Sequence, residues 1–91
     1  MRTAPSPTAH VVASVHDDGI VLLQTKSGRV FTSNRAGARI WQHLERRMPV
    51  DAIAADLSDQ YRISYDAARH DVALFLIELE RHGLAAEGRL R

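Results

Sequence analysis

The five histidines have the widest chemical scope in this sequence, because imidazole can serve as a metal ligand or as an acid–base group. They are His10, His16, His43, His70 and His82. Two imidazoles four residues apart on one helix face favour zinc binding, but no pair has that spacing and no Glu-x-x-His element accompanies them. The chain has no cysteine, which excludes disulfides and thiolate metal sites. The sequence therefore predicts no metal site, and histidines that are exposed or locally hydrogen-bonded.

Catalytic and phosphate-binding patterns are also incomplete. The serines lie in no nucleophile motif, and Gly28, Gly37 and Gly83 are too far apart for a phosphate-binding loop. The acidic pair in Asp17-Asp18-Gly19 is explained by a turn, in which we expect the glycine to adopt positive φ. An enzyme needs titratable groups that converge in a pocket, and no such set stands out. We therefore expect a protein without catalytic activity and without a cofactor.

Composition predicts a small globular protein with no general affinity for polyanions. The 91 residues are 45% hydrophobic and 25% charged, which is typical of a folded domain. Twelve basic and eleven acidic side chains give a formal charge of +1, so no overall field favours nucleic acid or an anionic membrane. The longest apolar stretch, residues 20–23, is too short to cross a bilayer, and the N-terminus lacks the apolar segment of a secretory signal. We therefore expect a soluble, cytoplasmic protein.

The first third of the chain has the pattern of short strands and tight turns. Residues 10–15, 20–25 and 29–33 are predicted strands, since they are rich in β-branched side chains that fit a pleated sheet. Glycine-containing turns at 17–19 and 26–28 separate them. Connections this short join neighbouring strands in opposite directions, which predicts an antiparallel meander of three strands.

The remainder of the chain is predicted to be helical. Asn34 and Ser64 are suitable N-caps for helices over 35–46 and 65–82, because their side-chain oxygens can accept a backbone N–H of the first turn. A second helix, opened by a proline, covers residues 49–60. The three helices must cover the sheet, since three strands alone cannot bury a core.

The order β-β-β-α-α-α indicates an α+β fold with a winged helix-turn-helix-like shape. Residues 9–86 are predicted to form the single domain. The segment 1–8, which contains two prolines, is predicted to be a disordered tail, and residues 87–91 a C-terminal tail. Gly83 is placed to end the last helix in the left-handed region, after which Leu84 and its neighbour pack back on the core.

The longest helix is apolar on two sides. At 100° per residue, Leu74 and Ile77 fall nearly opposite the stripe that should face the core. Few elements remain to cover this second side. It predicts a shallow apolar groove beside the sheet, with a homodimer contact or simply scattered exposed aliphatics as the alternatives. The core stripe itself comprises Tyr65, Ala68, Val72, Phe75, Leu76 and Leu79.

The third strand is predicted to be an edge whose unpaired N–H and C=O groups could accept an extended peptide. Five backbone hydrogen bonds contribute about 1 kcal/mol each. Ordering six residues costs about 1–2 kcal/mol apiece, so main-chain pairing alone cannot hold a flexible peptide. Apolar anchors must also be buried, at about 1.5–3 kcal/mol each, and Leu74 could line their pocket. We therefore expect a peptide to use both the edge and the groove.

A winged-helix DNA-binding regulator is the main alternative. Its third helix would enter the major groove, where Arg69 and Arg81 could contact the nucleic acid. The same helix also carries carboxylates that would be repelled by phosphates. These are Asp66, Asp71, Glu78 and Glu80. The charges therefore favour a partner other than nucleic acid.

The sequence resembles the PqqD-like proteins, also called precursor-peptide recognition elements. The similarity runs over residues 11–84, and its ordered motifs are DDGIVLLQTKSGRVFTSN, AGARIWQHL, PVDAIAADL and DVALFLIELERHGL. The resemblance implies three strands and three helices. It also implies that the protein binds the leader segment of a ribosomally made precursor peptide and presents it to a separate enzyme, performing no chemistry itself. The expected protein partners are thus a precursor peptide and a separate enzyme, either a leader peptidase or another maturation enzyme such as a radical enzyme. The protein itself is expected to be a monomer or a weak homodimer.

The resemblance also implies where the peptide lies, as a strand added to the third strand beside the third helix. The expected binding residues are Arg29, Val30, Phe31, Thr32 and Ser33 on the strand, and Ala67, His70, Asp71, Leu74, Phe75 and Glu78 on the helix. Ser33 stands where many relatives have leucine, which predicts a shallower pocket. The motif AGARIWQHL is closer to the stand-alone proteins of lasso-peptide clusters than to the peptide chaperone of the pyrroloquinoline quinone pathway, which remains an alternative.

Overall fold

The structure, a computed structural model, describes residues 6–7 and 10–86. It confirms the predicted α+β order of three antiparallel strands followed by three helices, although the winged helix-turn-helix description is only a loose analogy. A short strand is added at each end, so the third predicted strand is β4. The elements in chain order are β1 (Ser6–Pro7), β2 (Val11–His16), β3 (Gly19–Gln24), β4 (Arg29–Ser33), α1 (Arg35–Glu45), α2 (Val50–Tyr61), α3 (Tyr65–Arg81) and β5 (Ala85–Ala86).

Strands β2, β3 and β4 form the predicted meander, in that spatial order. Gly28 adopts the left-handed region, with φ +76°, and its N–H donates to the Gln24 carbonyl at 2.8 Å, which closes the second turn. The positive φ expected at Gly19 is wrong. A Cβ at Gly19 would lie 2.0 Å from the Ser33 carbonyl oxygen, so glycine is needed there because the end of β4 approaches closely.

The sheet has one covered face and one open face. Along β3, Ile20, Leu22 and Gln24 are buried beneath the helices, whereas Val21 and Leu23 are half-buried on the opposite side. Because side chains alternate along a strand, these two sets define an inner face, toward the helices, and an outer face.

Strand β4 continues both faces along the margin of the sheet. Its register with β3 pairs Arg29, Phe31 and Ser33 with the buried β3 residues, which places these three side chains on the inner face. Val30 and Thr32 lie on the outer face, where both are exposed. The inner-face side chains of β4 are therefore turned toward α1 and α3.

Both predicted N-caps are confirmed by their hydrogen bonds. The Gly37 N–H donates to Asn34 Oδ1 at 3.0 Å, and the Ala67 N–H donates to Ser64 Oγ at 3.0 Å. Gly83, with φ +71°, ends α3 as expected, in the left-handed region that glycine adopts at lower cost than other residues. These caps fix where α1 and α3 begin relative to the sheet.

The core lies between the inner face and the three helices. The predicted α3 stripe is confirmed for Ala68, Val72, Leu76 and Leu79, and Phe75 is half-buried. Tyr65 is a wrong prediction, since its side chain is 42% exposed and its hydroxyl donates to Asp51. It begins the first turn of α3, beyond the part of the helix that packs on the core. The largest fully buried side chains are Trp41, Ile20, Leu22, Leu44, Ile53, Leu57, Leu79, Leu84 and Val72.

The two ends of the described chain pair with each other. Strand β1 runs antiparallel to β5, with Ser6 opposite Ala86 and Pro7 opposite Ala85. Within the segment 1–8 predicted as a tail, Ser6–Pro7 therefore forms a strand, whose partner comes from the far end of the chain and leaves no local pattern. The rest of that segment and the predicted tail at 87–91 lie outside the described residues.

Candidate functional site

An apolar cavity of about 400 Å³ lies where the end of β4, the start of α1 and the middle of α3 meet. We refer to it as the apolar cavity. Leu74 stands on its α3 side with 50% of its surface exposed. Asp71 and Glu78 carry the carboxylates of its lining. The cavity is lined by Phe31, Ser33, Asn34, Ala36, Gly37, Ile40, Asp71, Leu74, Phe75 and Glu78.

Gly37 allows the three elements to come this close. A Cβ on Gly37 would lie 2.1 Å from Ser33 Oγ and 2.8 Å from Phe75 Cε1. Both distances are shorter than a normal van der Waals contact, and both neighbours line the apolar cavity. A glycine inside a helix costs up to about 1 kcal/mol relative to alanine. At this position the cost is offset by the close packing that shapes the cavity.

The backbone of β4 presents unpaired groups at Val30 and Thr32. In an antiparallel strand the N–H and C=O of one residue point to the same side, and that side alternates from residue to residue. The Ser33 carbonyl oxygen points toward β3, close to Gly19. The groups of Val30 and Thr32 therefore point away from β3, and within the described residues no strand pairs with β4 on that side. This margin, the β4 edge, is open to an added strand.

The structure divides the predicted site residues into four groups. Those on the apolar cavity are Phe31, Ser33, Asp71, Leu74, Phe75 and Glu78. Val30 and Thr32 do not line it but supply the outward backbone groups of the β4 edge. Ala67 and His70 are exposed on α3 and line neither this cavity nor the second one described below. Arg29 lies at the opposite end of β4, on that second cavity.

Sequence reasoning missed the contribution of α1 to the cavity. Four residues from its N-cap and first turns complete the cavity lining. One feature of the sequence could have indicated them. A glycine inside a helix pattern indicates close approach of another element, and α1 begins directly after the edge strand. The missed residues are Asn34, Ala36, Gly37 and Ile40.

Among the described residues, the groups with a clearly shifted pKa lie between α1 and α2. Arg39 binds the Asp56 carboxylate through both Nε and Nη2, the latter at 3.0 Å. The buried His43 approaches the same carboxylate, with Nε2 2.7 Å from Oδ2. The hydrogen bond from Arg39, aided by that from His43, lowers the pKa of Asp56 from 3.8 to about 2. None of the three lines the apolar cavity, so this cluster joins two helices.

The arginines of the alternative DNA-reading helix are already paired. Arg69 on α3 binds Asp51 on α2. Arg81 lies 3.3 Å from Glu78 on the same helix. Paired cations next to carboxylates are poorly placed to contact phosphates, which require free positive charge. The charge arrangement of α3 therefore disfavours a nucleic-acid interface.

The described residues hold no group of three or more histidine, aspartate or glutamate side chains arranged for a metal ion. Over the same ranges, no helix has the length and apolar character needed to cross a membrane. What the described surface offers is an open strand edge beside an apolar cavity. That combination suits binding of an extended peptide.

Comparisons with known proteins point to one family. The sequence model of a family described as coenzyme PQQ synthesis protein D (PqqD) matches residues 19–85. A solved structure described as "TbiB1 in Complex with the TbiA(beta) Leader Peptide" is similar, with 28% identity, a TM-score of 0.83, and coverage of 94% of this chain and 99% of that chain. A second, "Lasso peptide synthetase B1 complexed with the leader peptide", has 26% identity, a TM-score of 0.82, and coverage of 90% and 96%. A comparison with curated proteins finds no match.

Proposed function

The chain belongs to the PqqD family, and from this premise we propose that it is a non-catalytic protein that binds the leader segment of a ribosomally made precursor peptide. Two solved structures similar along nearly their whole length, at 28% and 26% identity, are complexes with a leader peptide. One of them is described as a lasso peptide synthetase component, which supports the stand-alone lasso-peptide type.

The observation that carries this function is the position of the β4 edge beside the apolar cavity. An added strand would pair with the outward groups of Val30 and Thr32. Its side chains on the inner face would then point toward Phe31, Leu74 and the cavity between them. Backbone pairing selects an extended chain of any sequence, whereas the cavity selects apolar side chains. The two together can distinguish one leader sequence from another.

The size of the cavity matches the energetic requirement for capture. Main-chain hydrogen bonds of about 1 kcal/mol each do not offset the ordering of the peptide. About 400 Å³ lies within the lower range of small-ligand pockets and accommodates one or two large apolar side chains. Burying each such side chain contributes about 1.5–3 kcal/mol. The peptide would therefore be held by its apolar anchors and aligned by the edge.

We assign the chemistry on the captured peptide to a separate enzyme, a leader peptidase or another maturation enzyme such as a radical enzyme. Arg39 and Asp56, whose pKa values are shifted, bind each other between two helices, away from the apolar cavity. This supports a protein that holds its peptide without reacting with it. We place the encounter in the cytoplasm, where ribosomally made precursors are synthesised.

A titration of isotope-labelled protein tests this function. The probe is a synthetic leader from the precursor gene nearest to the gene of this chain, and a scrambled version serves as the control. We expect saturable shifts of the β4 and α3 amide resonances with the native leader only. Absence of saturable binding would contradict the proposal, and so would binding of duplex DNA that falls steeply with salt concentration.

A further inference from the structure

A second cavity, of about 380 Å³, lies at the other end of the interface between β4 and α3. Arg29, the first residue of β4, borders it on one side. Glu80, Arg81 and His82, at the end of α3, border it on the other. Its lining includes two arginines and a histidine but one carboxylate residue, so we refer to it as the basic cavity.

Phe31 separates the basic cavity from the apolar cavity. Its ring centroid lies 5.9 Å from that of Phe75, which lines the apolar cavity. On the other side it lies 5.2 Å from the ring centroid of His82, which lines the basic cavity. Both cavities therefore border the same strand, and a peptide added along the β4 edge would pass first one and then the other.

Within the described residues, Arg29 is the cationic group of the basic cavity that forms no ion pair. The Glu78 carboxylate lies close to two of the basic side chains, 3.3 Å from Arg81 and 3.6 Å from His82. Glu80 is the carboxylate in its lining. Arg29 is exposed, and over residues 6–7 and 10–86 no carboxylate forms an ion pair with its side chain.

The helix dipole explains why Arg81 and His82 lie at the end of α3, but it does not explain the position of Arg29. Cationic side chains at a helix C-terminus interact favourably with the helix dipole and its last carbonyls. The local backbone already serves those carbonyls, since the N–H groups of His82, Gly83 and Leu84 donate to the last turn of α3. Arg29 belongs to the sheet, so the helix dipole gives no reason for a cation at that position.

The register of β4 fixes the spacing between the two cavities. Arg29, Phe31 and Ser33 alternate along the inner face, so successive members lie about 7 Å apart. A strand added to the β4 edge has the same period. Its inward side chain beside Arg29 is therefore two residues from the one beside Phe31, whichever way the peptide runs.

Resting on the proposed function, we propose that the basic cavity is a subsite for an acidic side chain of the captured peptide. An aspartate or glutamate there would accept hydrogen bonds from the Arg29 guanidinium, which suits a carboxylate geometrically. A lysine or arginine at the same position would be repelled. The recognised leader segment thus carries an acidic residue two positions from its nearer apolar anchor, on the same face of the strand.

A selection experiment with random peptides tests the subsite and does not require the leader sequence. A displayed library is selected on the wild-type protein, on Arg29→Glu and on Lys26→Glu. Lys26 lies in the turn that precedes β4 and lines neither cavity, so it is the matched control. We expect wild type and Lys26→Glu to enrich an acidic residue two positions from an apolar one. Arg29→Glu should lose that preference or enrich a basic residue instead.

A fluorescence polarisation measurement on one enriched peptide shows how much its acidic residue contributes to affinity. Replacing its acidic residue with glutamine should weaken binding about two- to fivefold, the range for an exposed charge pair. The loss should shrink in Arg29→Gln, because the two changes remove the same contact. Enriched peptides with apolar anchors but no charge preference would overturn the subsite and leave the proposed function standing. No enrichment over a blank surface would overturn both.

Discussion

The rings of Phe31 and Phe75 meet edge to face, with centroids 5.9 Å apart and planes inclined at 61°. Such a pair contributes about 0.5–1.5 kcal/mol beyond the area it buries. It joins the middle of β4 to α3, and both rings also line the apolar cavity. The two walls that a captured peptide would contact are therefore held apart at a fixed distance by side chains that the peptide itself would touch.

Leu74→Asp should weaken leader binding roughly tenfold or more, because the substitution replaces an apolar contact and places a charge where the peptide would exclude water. Ile77→Asp is the matched control. Ile77 is on the same helix and is 49% exposed against 50% for Leu74, but it does not line the apolar cavity. We expect an affinity change of less than about twofold for the control, measured by fluorescence polarisation.

Equal losses from the two variants would contradict the role of the cavity. Sedimentation distinguishes the remaining alternative, a homodimer through the apolar side of α3. In that case the mass would rise with protein concentration, and both Leu74→Asp and Ile77→Asp would abolish the rise. We expect a mass that is independent of the two substitutions.

Val30→Pro should weaken leader binding about fivefold, since it removes one outward donor of the β4 edge and one hydrogen bond contributes about 1 kcal/mol. The N–H of Val30 does not pair with β3, so the ladder is kept. Val15→Pro is the control on the opposite margin of the sheet. By the same alternation, the backbone N–H of Val15 points away from β3, so it is not part of the ladder. The control should leave leader affinity unchanged, with circular dichroism confirming that both variants fold; an equal loss in both would exclude strand addition to β4.

Gly37→Ala should lower both the melting temperature and leader affinity. Alanine is normally the better helix former, but its Cβ would lie 2.1 Å from Ser33 Oγ and 2.8 Å from Phe75 Cε1, so side chains that line the apolar cavity must move. Gln42→Ala, at an exposed position of α1, is the control and should change neither property. A variant Gly37→Ala that melts at a higher temperature and binds the leader with unchanged affinity would show that the close packing is not required.

The strands and helices could be predicted from sequence because their signals are local. Alternating β-branched residues, glycine turns and the caps Asn34 and Ser64 each act within a few residues, and each is found where it was expected. The reason given for Gly19 was wrong because it is non-local. That glycine is needed for the approach of Ser33, from a strand that only the folded sheet brings alongside.

The site was predicted from sequence only in part. The edge strand and the exposed side of α3 follow from the sequence pattern, so Leu74 could be found, whereas periodicity placed Phe75 in the core and only the family resemblance assigned it to the site. The α1 side depends on how a helix is angled against the sheet, which periodicity does not encode. The pairing of Ser6–Pro7 with Ala85–Ala86 was not predicted for a related reason, since neither two-residue segment has a strand pattern of its own.

The cluster of Arg39, His43 and Asp56 predicts that stability falls in acid. The hydrogen bond from Arg39 lowers the pKa of Asp56 to about 2 in the folded protein, below its ordinary value of 3.8. The carboxylate therefore stabilises the fold fully above pH 3.8, and that contribution is lost as pH falls toward 2. The shift corresponds to a contribution from Asp56 to the free energy of unfolding on the order of 2 kcal/mol.

Asp56→Asn tests this through urea unfolding at several pH values. The variant should be less stable than wild type by on the order of 2 kcal/mol at neutral pH. That difference should shrink steadily below about pH 4, because the wild-type carboxylate then becomes neutral as well. Gln60→Ala, an uncharged substitution at an exposed position of the same helix, should show no such trend. A difference between Asp56→Asn and wild type that is constant across this range would mean that the side chain contributes through packing, and that its charge does not hold α1 against α2.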